Sequence, residues 1–274
     1  MKLDLHTHTT VSDGSDSPTD VIKKARKKDL QILSITDHDT IGALDEIKSI
    51  PNKMKFITGV EISAEFPKTL HILGYNFDSS DKALRETLNS LQNFRKNRNI
   101  KMMENMEKMG IFISWAELKE EAKGEIIGRP HFANILYKKG YVDSYQQAFD
   151  KYLKQGAPLY LNKKRLFPKK AIELILNAGG VPVIAHPYQT KLNDEELREL
   201  IKKLADYGLQ GIEAFYSLHT KKQIELYLGF AKEFNLVITA GSDYHGTNKP
   251  NISLGMEVEQ KYINPFFERA GILL

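Results

Sequence analysis

"LDLHTHTTVSDGS" (residues 3–15) alternates apolar and polar side chains as far as His8 and then turns through Ser-Asp-Gly. The alternation reads as a short strand, because residues two apart on extended backbone share a face. His6 and His8 therefore point to one side, with Asp13 in the turn behind them. Imidazole and carboxylate together are ligand types for zinc, iron and manganese.

The same chemistry recurs outward along the chain, where predicted strands end. "TDHD" places Asp37, His38 and Asp39 after a second β-rich run, "GVEIS" supplies Glu61, and "LHILGY" supplies His71. "IAHP" then supplies His186, and "GSDYH" supplies Asp243 and His245 at the spacing of the first pair. In a parallel β/α barrel the carboxyl ends of the strands share one face, where active sites sit. His6, His8, Asp13, His38, Glu61, His71, His186, Asp243 and His245 are more donors than one ion needs. Two to three divalent cations are expected, and all-N/O ligation leaves Mn, Fe and Zn open. A lone histidine is an ordinary capped or hydrogen-bonded residue; a set gathered at strand ends with acids beside it is not.

Organisation agrees with a barrel. Residues 1–80 alternate strand and helix: "SPTDVIKKARKKD" is a helix with Ser17 as cap and Pro18 in its first turn, and "IGALDEIKSI" (41–50) is a second. Alternation resumes from 165 through "GSDYHG". Residues 81–164 differ, with a long amphipathic stretch over 81–109, capping boxes at Ser114…Glu117 and Ser144…Gln147, and a strand pattern limited to "GIFIS". We expect a helical insertion domain (81–164) in a discontinuous barrel (1–80 and 165–274).

Composition narrows the chemistry. The 274 residues are 41% hydrophobic and 27% charged, ordinary for a globular protein, and contain no cysteine. Disulfides, zinc–thiolate sites and cysteine nucleophiles are excluded. "MKLDLHTH" lacks the apolar core of a signal peptide, and no apolar run approaches the roughly 20 residues that span a bilayer. A soluble cytoplasmic protein without membrane or stable protein partners is predicted. Net charge of +4 and a pI of about 8.9 mildly favour polyanions. Of the basic runs, "KKARKK" (23–28) reads as a solvated helix face and "NKKRLFPKK" (162–170) as the better phosphate attractor.

"DLHTHTTVSDGS", "ITDHDT", "GVEIS", "HILGY", "AHP" and "GSDYHG" together resemble the polymerase and histidinol phosphatase (PHP) domain family of metal-dependent phosphoesterases. The resemblance implies a distorted (β/α)7 barrel with a trinuclear site. It assigns His6, His8, Glu61 and Asp243 to one metal. Glu61 would bridge to a second held with His71 and His186, and Asp13, His38 and His245 would hold the third. An acid at position 13, where many members carry histidine, resembles the nucleotide-acting branch, as does "GRPH" in the insertion. In that branch such a segment contacts substrate phosphate, which makes Arg129 and His131 candidate catalytic and substrate-binding residues. Arg129 offers the planar fork that suits phosphate, and Pro130 marks a loop-to-helix entry.

The implied activity is hydrolysis of a phosphomonoester on a nucleotide: a nucleoside monophosphate such as AMP, a 3′,5′-bisphosphate nucleotide, or the 5′ end of a short RNA. Histidinol-phosphate phosphatase is the rival enzyme, which the insertion and Asp13 oppose. A degenerate, non-catalytic PHP module is the other rival, which the complete ligand set opposes. Asp37 is a candidate catalytic residue acting beside His38 or orienting a ligand. "DHDT" has its threonine one position too early for the haloacid-dehalogenase nucleophile motif. Glu213 either orients a ligand or forms an ion pair in the barrel. His219, with Tyr216, is a candidate substrate contact lining a base pocket, against a solvent-exposed histidine at a helix start.

Overall fold

The computed structural model describes residues 1–47, 54–122 and 126–273. The chain divides into two compact units, Met1–Leu88 with Arg165–Leu274, and Asn89–Lys164.

The first unit is built on an eight-stranded sheet. Its strands are β1 (Lys2–Asp4), β2 (Ile32–Ile35), β3 (Lys55–Ser63), β4 (His71–Tyr75), β5 (Val181–Ile184), β6 (Gly211–Tyr216), β7 (Val237–Gly241) and β8 (Met256–Glu257), in the order β7-β6-β5-β4-β3-β2-β1-β8. The ring nearly closes because the chain beyond β1 runs beside β7 and its continuation. The Leu5 amide donates to the Ala240 carbonyl at 3.0 Å, Thr7 bridges Tyr244, and the His8 amide donates to the Tyr244 carbonyl at 2.8 Å. β1 to β7 form the barrel, and β8 is a two-residue antiparallel addition to β1 that the motifs did not announce.

One strand departs from the parallel arrangement expected. β4 is antiparallel to both β3 and β5. The connection over 64–70 is too short for the crossover that a parallel neighbour requires, so the chain turns straight back. His71 consequently begins its strand rather than ending it. Reversal brings that beginning to the same rim, opposite Ser63 of β3.

Leu3, Leu5, Ile32, Ile57, Leu73 and Val183 are buried in the barrel core, and the Tyr75 hydroxyl donates to the Leu5 carbonyl at 2.8 Å. The helix Pro18–Lys27 starts where Ser17 accepts from the Asp20 amide at 3.1 Å, and it buries Val21, Ile22 and Ala25. Its basic run stays largely on the outside, with Lys24 paired to Asp16. Of the helix expected over 41–50, Gly42–Glu46 forms, and 48–50 lie outside the described residues.

The second unit takes over within the helix Lys82–Lys108 and adds the helices Trp115–Ala122, Arg129–Lys138 and Tyr145–Ala148. Met102, Met106, Leu118, Phe132, Leu136 and Leu153 form its core. The Ser114 capping box closes, its amide donating to Glu117 at 2.7 Å and its hydroxyl accepting from the Glu117 amide at 3.2 Å. At Ser144 only the cap forms, accepting from the Gln147 amide at 3.1 Å, because the Gln147 side-chain oxygen takes the Asp143 amide instead at 2.8 Å. "GIFIS" is not a strand. Ile111 and Ile113 are buried against helices, and no described strand lies in this unit for it to pair with. No described helix is long and apolar enough to cross a membrane.

Two glycines predict opposite effects. A Cβ on Gly241 would sit 2.2 Å from His6 Cβ and 2.8 Å from its amide nitrogen, so Gly241→Ala must push β7 away from the chain following β1. Overpacking of this kind costs about 1–3 kcal/mol, and Tm should fall at about 2–4 °C per kcal/mol. Gly229, exposed within the helix Lys221–Glu233, has nothing within 4 Å of such a carbon. Gly229→Ala should raise stability by about 0.5–1 kcal/mol. Thermal unfolding of both variants checks the pair, and a wild-type Tm for Gly241→Ala would contradict the close approach.

Candidate metal centre

Extended backbone beyond β1 carries His6 and His8 to the rim with ring centroids 5.2 Å apart, as their spacing required. The turn that follows is held by Asp37. One carboxylate oxygen accepts from the Thr9 amide at 2.8 Å, the other from the Thr9 hydroxyl at 2.7 Å, and Ser12 donates as well. Asp37 is therefore buried against the 9–12 turn, fastening the loop that presents His8 and Asp13, and its oxygens do not face the histidine cluster. Of the two roles the sequence offered for Asp37, this placement accords with orienting a ligand. Asp39 does the same for β3, accepting from the Ser63 amide at 2.8 Å.

Glu61 is the centre of the cluster and is fully buried. Its Oε1 lies 2.8 Å from His71 Nδ1 and 2.8 Å from His186 Nε2. Its Oε2 lies 2.8 Å from His38 Nδ1, 3.3 Å from His8 Nε2 and 3.4 Å from His6 Nε2. Asp243 turns Oδ1 toward His8 at 3.3 Å, His245 at 3.3 Å and His6 at 3.7 Å. Its Oδ2 receives the Tyr216 hydroxyl at 2.8 Å and Lys249 at 2.6 Å. Asp13, with 37% of its side chain exposed, marks the open edge, 3.2 Å from His245 Nε2 and 3.7 Å from His38 Nε2. All nine expected ligands are thus brought together.

Backbone strain accompanies two of them and a neighbour. Asp39, His186 and Asp243 have φ values of 54°, 26° and 60°, a region that L residues enter at a cost of about 1–3 kcal/mol each. Such conformations persist only where surrounding contacts over-determine them, and they concentrate at functional sites.

The electrostatics describe a site made for cations. Burial alone would raise the Glu61 carboxyl, but His38, His71 and His6 outweigh it and hold the group well below the usual range. Burial disfavours charge on His8 too, yet its contacts to Asp243 and Glu61 lift it to about 9. Protons on imidazoles here balance buried carboxylates, a role that divalent ions take over by displacing them.

The donor atoms fit metal. His6 Nε2, His8 Nε2, His38 Nδ1 and Glu61 Oε2 are buried without a hydrogen bond of acceptable geometry. Buried polar atoms are normally satisfied, so three orphaned ring nitrogens within 3.4 Å of an orphaned carboxylate oxygen fit a site that a cation completes. Donors within 4.8 Å of one another form four overlapping groups: His8–Asp13–His38–His245, His6–Glu61–His186, His6–His8–Asp243 and His38–Glu61–His71.

Other residues fall elsewhere. His219 is not solvent-facing: its Nδ1 lies 3.0 Å from the Ala214 carbonyl, Nε2 is buried, and the ring packs among Tyr188, Tyr216 and Tyr227. Arg129 and His131 belong to the unit Asn89–Lys164. The Arg129 guanidinium lies 4.9 Å from the centre of the Tyr160 ring and donates to the Leu153 carbonyl at 3.2 Å. His131 Nδ1 accepts from the Gly128 amide at 3.0 Å, capping the helix that Arg129 begins. In the 162–170 run, Lys164 sits 3.7 Å over the Phe94 ring.

Sequence reasoning passed over Lys249 and Asp4. Lys249 carries no local pattern, since only folding puts it beside Asp243. Asp4 shares the alternation of His6 and His8. It is buried, and accepts from the Ser242 amide at 2.9 Å and the Gly255 amide at 2.7 Å. Burial pushes its carboxyl up to about 6.

Comparison with known proteins agrees with this geometry. The PHP domain family matches over residues 4–207. A 5′-3′ exoribonuclease of Haemophilus influenzae is 36% identical over 247 residues, covering 89% of this chain and 90% of its own. A 3′,5′-nucleoside bisphosphate phosphatase of Chromobacterium violaceum is 31% identical over 262 residues, covering 92% and 90%. A solved structure from Bifidobacterium adolescentis, described as a metal-dependent phosphoesterase, superposes with a TM-score of 0.79 at 28% identity over 97% of this chain and 96% of its own. With its ligand cluster on a nearly closed β/α barrel, the chain belongs to the PHP domain family of metal-dependent phosphoesterases and is a hydrolase of phosphoester bonds.

Proposed function

We propose that the protein hydrolyses a terminal phosphomonoester on a nucleotide, using two to three divalent cations (Mn, Fe or Zn) held by the nine rim residues. The observation that carries the metal-centre reading is the gathering of three orphaned, buried imidazole nitrogens around the equally orphaned Oε2 of Glu61. Nucleotide substrates are supported by the exoribonuclease and bisphosphate phosphatase relatives, and by the Arg129–His131 segment.

His6, His8, Glu61 and Asp243 would hold one ion, Glu61 with His71 and His186 a second, and Asp13, His38 and His245 a third. Bound cations supply water activation and neutralisation of phosphoryl charge. His38 serves as a ligand, and Asp37 positions the turn before it. Lys249 and Tyr216 hold Asp243 from behind, so that its Oδ1 stays directed inward. Arg129 would grip the substrate phosphate, stacked on Tyr160 and braced by the Leu153 carbonyl. His219, half-buried among tyrosines, would shape a base-binding wall through Tyr188 and Tyr216.

Phosphate release from AMP, adenosine 3′,5′-bisphosphate, a short 5′-phosphorylated RNA and histidinol phosphate tests the substrate class. Turnover confined to histidinol phosphate would overturn the nucleotide reading. Glu61→Gln should abolish turnover and lower bound metal, whereas Asp13→Asn, at the open edge, should retain more of both. Substantial activity in Glu61→Gln would remove the bridging role. Arg129→Ala should lose a charge-assisted contact of about 1.5–3 kcal/mol, roughly a 10- to 150-fold drop in kcat/KM, with metal content and Tm unchanged. Arg129→Lys should recover part of it, because a point charge does not reproduce the fork. Unchanged kinetics in the alanine variant would leave the insertion without a phosphate role.

A further inference from the structure

Glu213 lies on β6, which contributes none of the nine ligands, yet its fully buried carboxylate touches two residues that do. Oε1 is 2.9 Å from His6 Nδ1, on the segment after β1. Oε2 accepts the backbone amide of His186 at 2.7 Å, on the segment after β5. The room for this arrangement is made by Gly241, where a Cβ would come within 2.9 Å of Oε1.

We infer that Glu213 is a positioning residue that sets the tautomer of His6 and holds the strained backbone of His186, thereby directing two metal ligands at once; this rests on reading the cluster as a metal centre. The chemistry follows from who can donate. The His186 amide can only donate, so Oε2 accepts. A carboxylate also accepts at Oε1, so His6 carries its proton on Nδ1. Its Nε2 then presents a lone pair inward, and Nε2 is one of the four orphaned donors. A bond from the other ring nitrogen is the usual device that fixes a ligating histidine. At His186 the same carboxylate anchors the amide of a residue with φ of 26°, a conformation that needs outside support.

An amide cannot do both jobs. In Glu213→Gln the side chain matches in size but has one acceptor and one donor. If its oxygen keeps the His186 amide, its NH2 faces His6 Nδ1 and moves the ring proton to Nε2, where it blocks ligation. If it turns over, the His186 amide is left facing a donor. A purely space-filling role predicts no change on this substitution. Glu213→Asp keeps the charge but is one methylene short of spanning both partners.

The experiment uses the full chain. Zinc affinity is read by chelator competition, Tm is read on metal-free protein, and the His6 tautomer is read by 15N NMR on metal-free protein at a pH where the ring is neutral. Wild type should show Nδ1–H. Glu213→Gln should show Nε2–H, metal-free Tm close to wild type, and zinc affinity weaker by about 10- to 100-fold. Glu213→Asp should also bind zinc more weakly. An Nε2–H ring in wild type overturns the inference, as does wild-type zinc affinity in the glutamine variant. Wild-type affinity in Glu213→Asp alone would show that charge, not the two-point hold, is what matters, and overturns it equally. If wild type binds no zinc but shows Nδ1–H that switches in the glutamine variant, the metal-centre reading fails while control of the tautomer by Glu213 stands.

Discussion

A carboxylate removed wholly from water is tolerated only where positive or donating partners surround it. Glu61 meets that condition through five imidazoles, with His38, His71 and His186 each at 2.8 Å and His8 and His6 at 3.3 and 3.4 Å. Those rings arrive from the ends of β1, β2 and β5 and from the start of β4. One side chain on β3 thus ties four other segments of the barrel together at this rim. Removing any wall of the ring would leave charge buried without compensation, which is costlier than never burying it.

Convergence alone would not aim the donors. Asp4, Asp37, Asp39 and Glu213 are buried carboxylates that accept from backbone amides around the cluster, Glu213 reaching the His6 ring as well. Each ties the backbone of one segment at the rim to the side chain of another. Together they sustain the left-handed backbone at Asp39, His186 and Asp243, whose strain is offset by those bonds. Rigidity of this kind suits a metal site, whose ligands are oriented by the groups bonded behind them.

The helical unit works by different means. Its core of methionine, leucine and phenylalanine is ordinary, but the loop before the helix Arg129–Lys138 is fastened at several points. Asn99, buried on the long helix, donates to the Ile127 carbonyl at 2.9 Å. His131 caps the entry, and Arg129 is braced by Leu153 and Tyr160. A guanidinium so pre-ordered loses less freedom on gripping an anion than a loose surface arginine would.

How much of this was legible in the chain divides along a physical line. Membership of the cluster was local: His6, His8, Glu61 and His245 stand in short motifs whose period of two, or position after a β-rich run, puts them on one face. The helices came from caps and apolar spacing, as at Ser17 and Ser114, because those bonds span three residues. The direction of β4 was not in the motif "LHILGY", which looks the same forwards or reversed, and depended on the brevity of the connection at 64–70. "GIFIS" has a strand's pattern without a strand to pair with, so packing decided it. Tyr216 behind Asp243 and Glu213 between His6 and His186 join segments far apart in sequence. A sequence determines which chemistry is available at each position. Only the closed barrel decided which oxygen faces which nitrogen, because such distances are set by register and backbone closure rather than by neighbours along the chain.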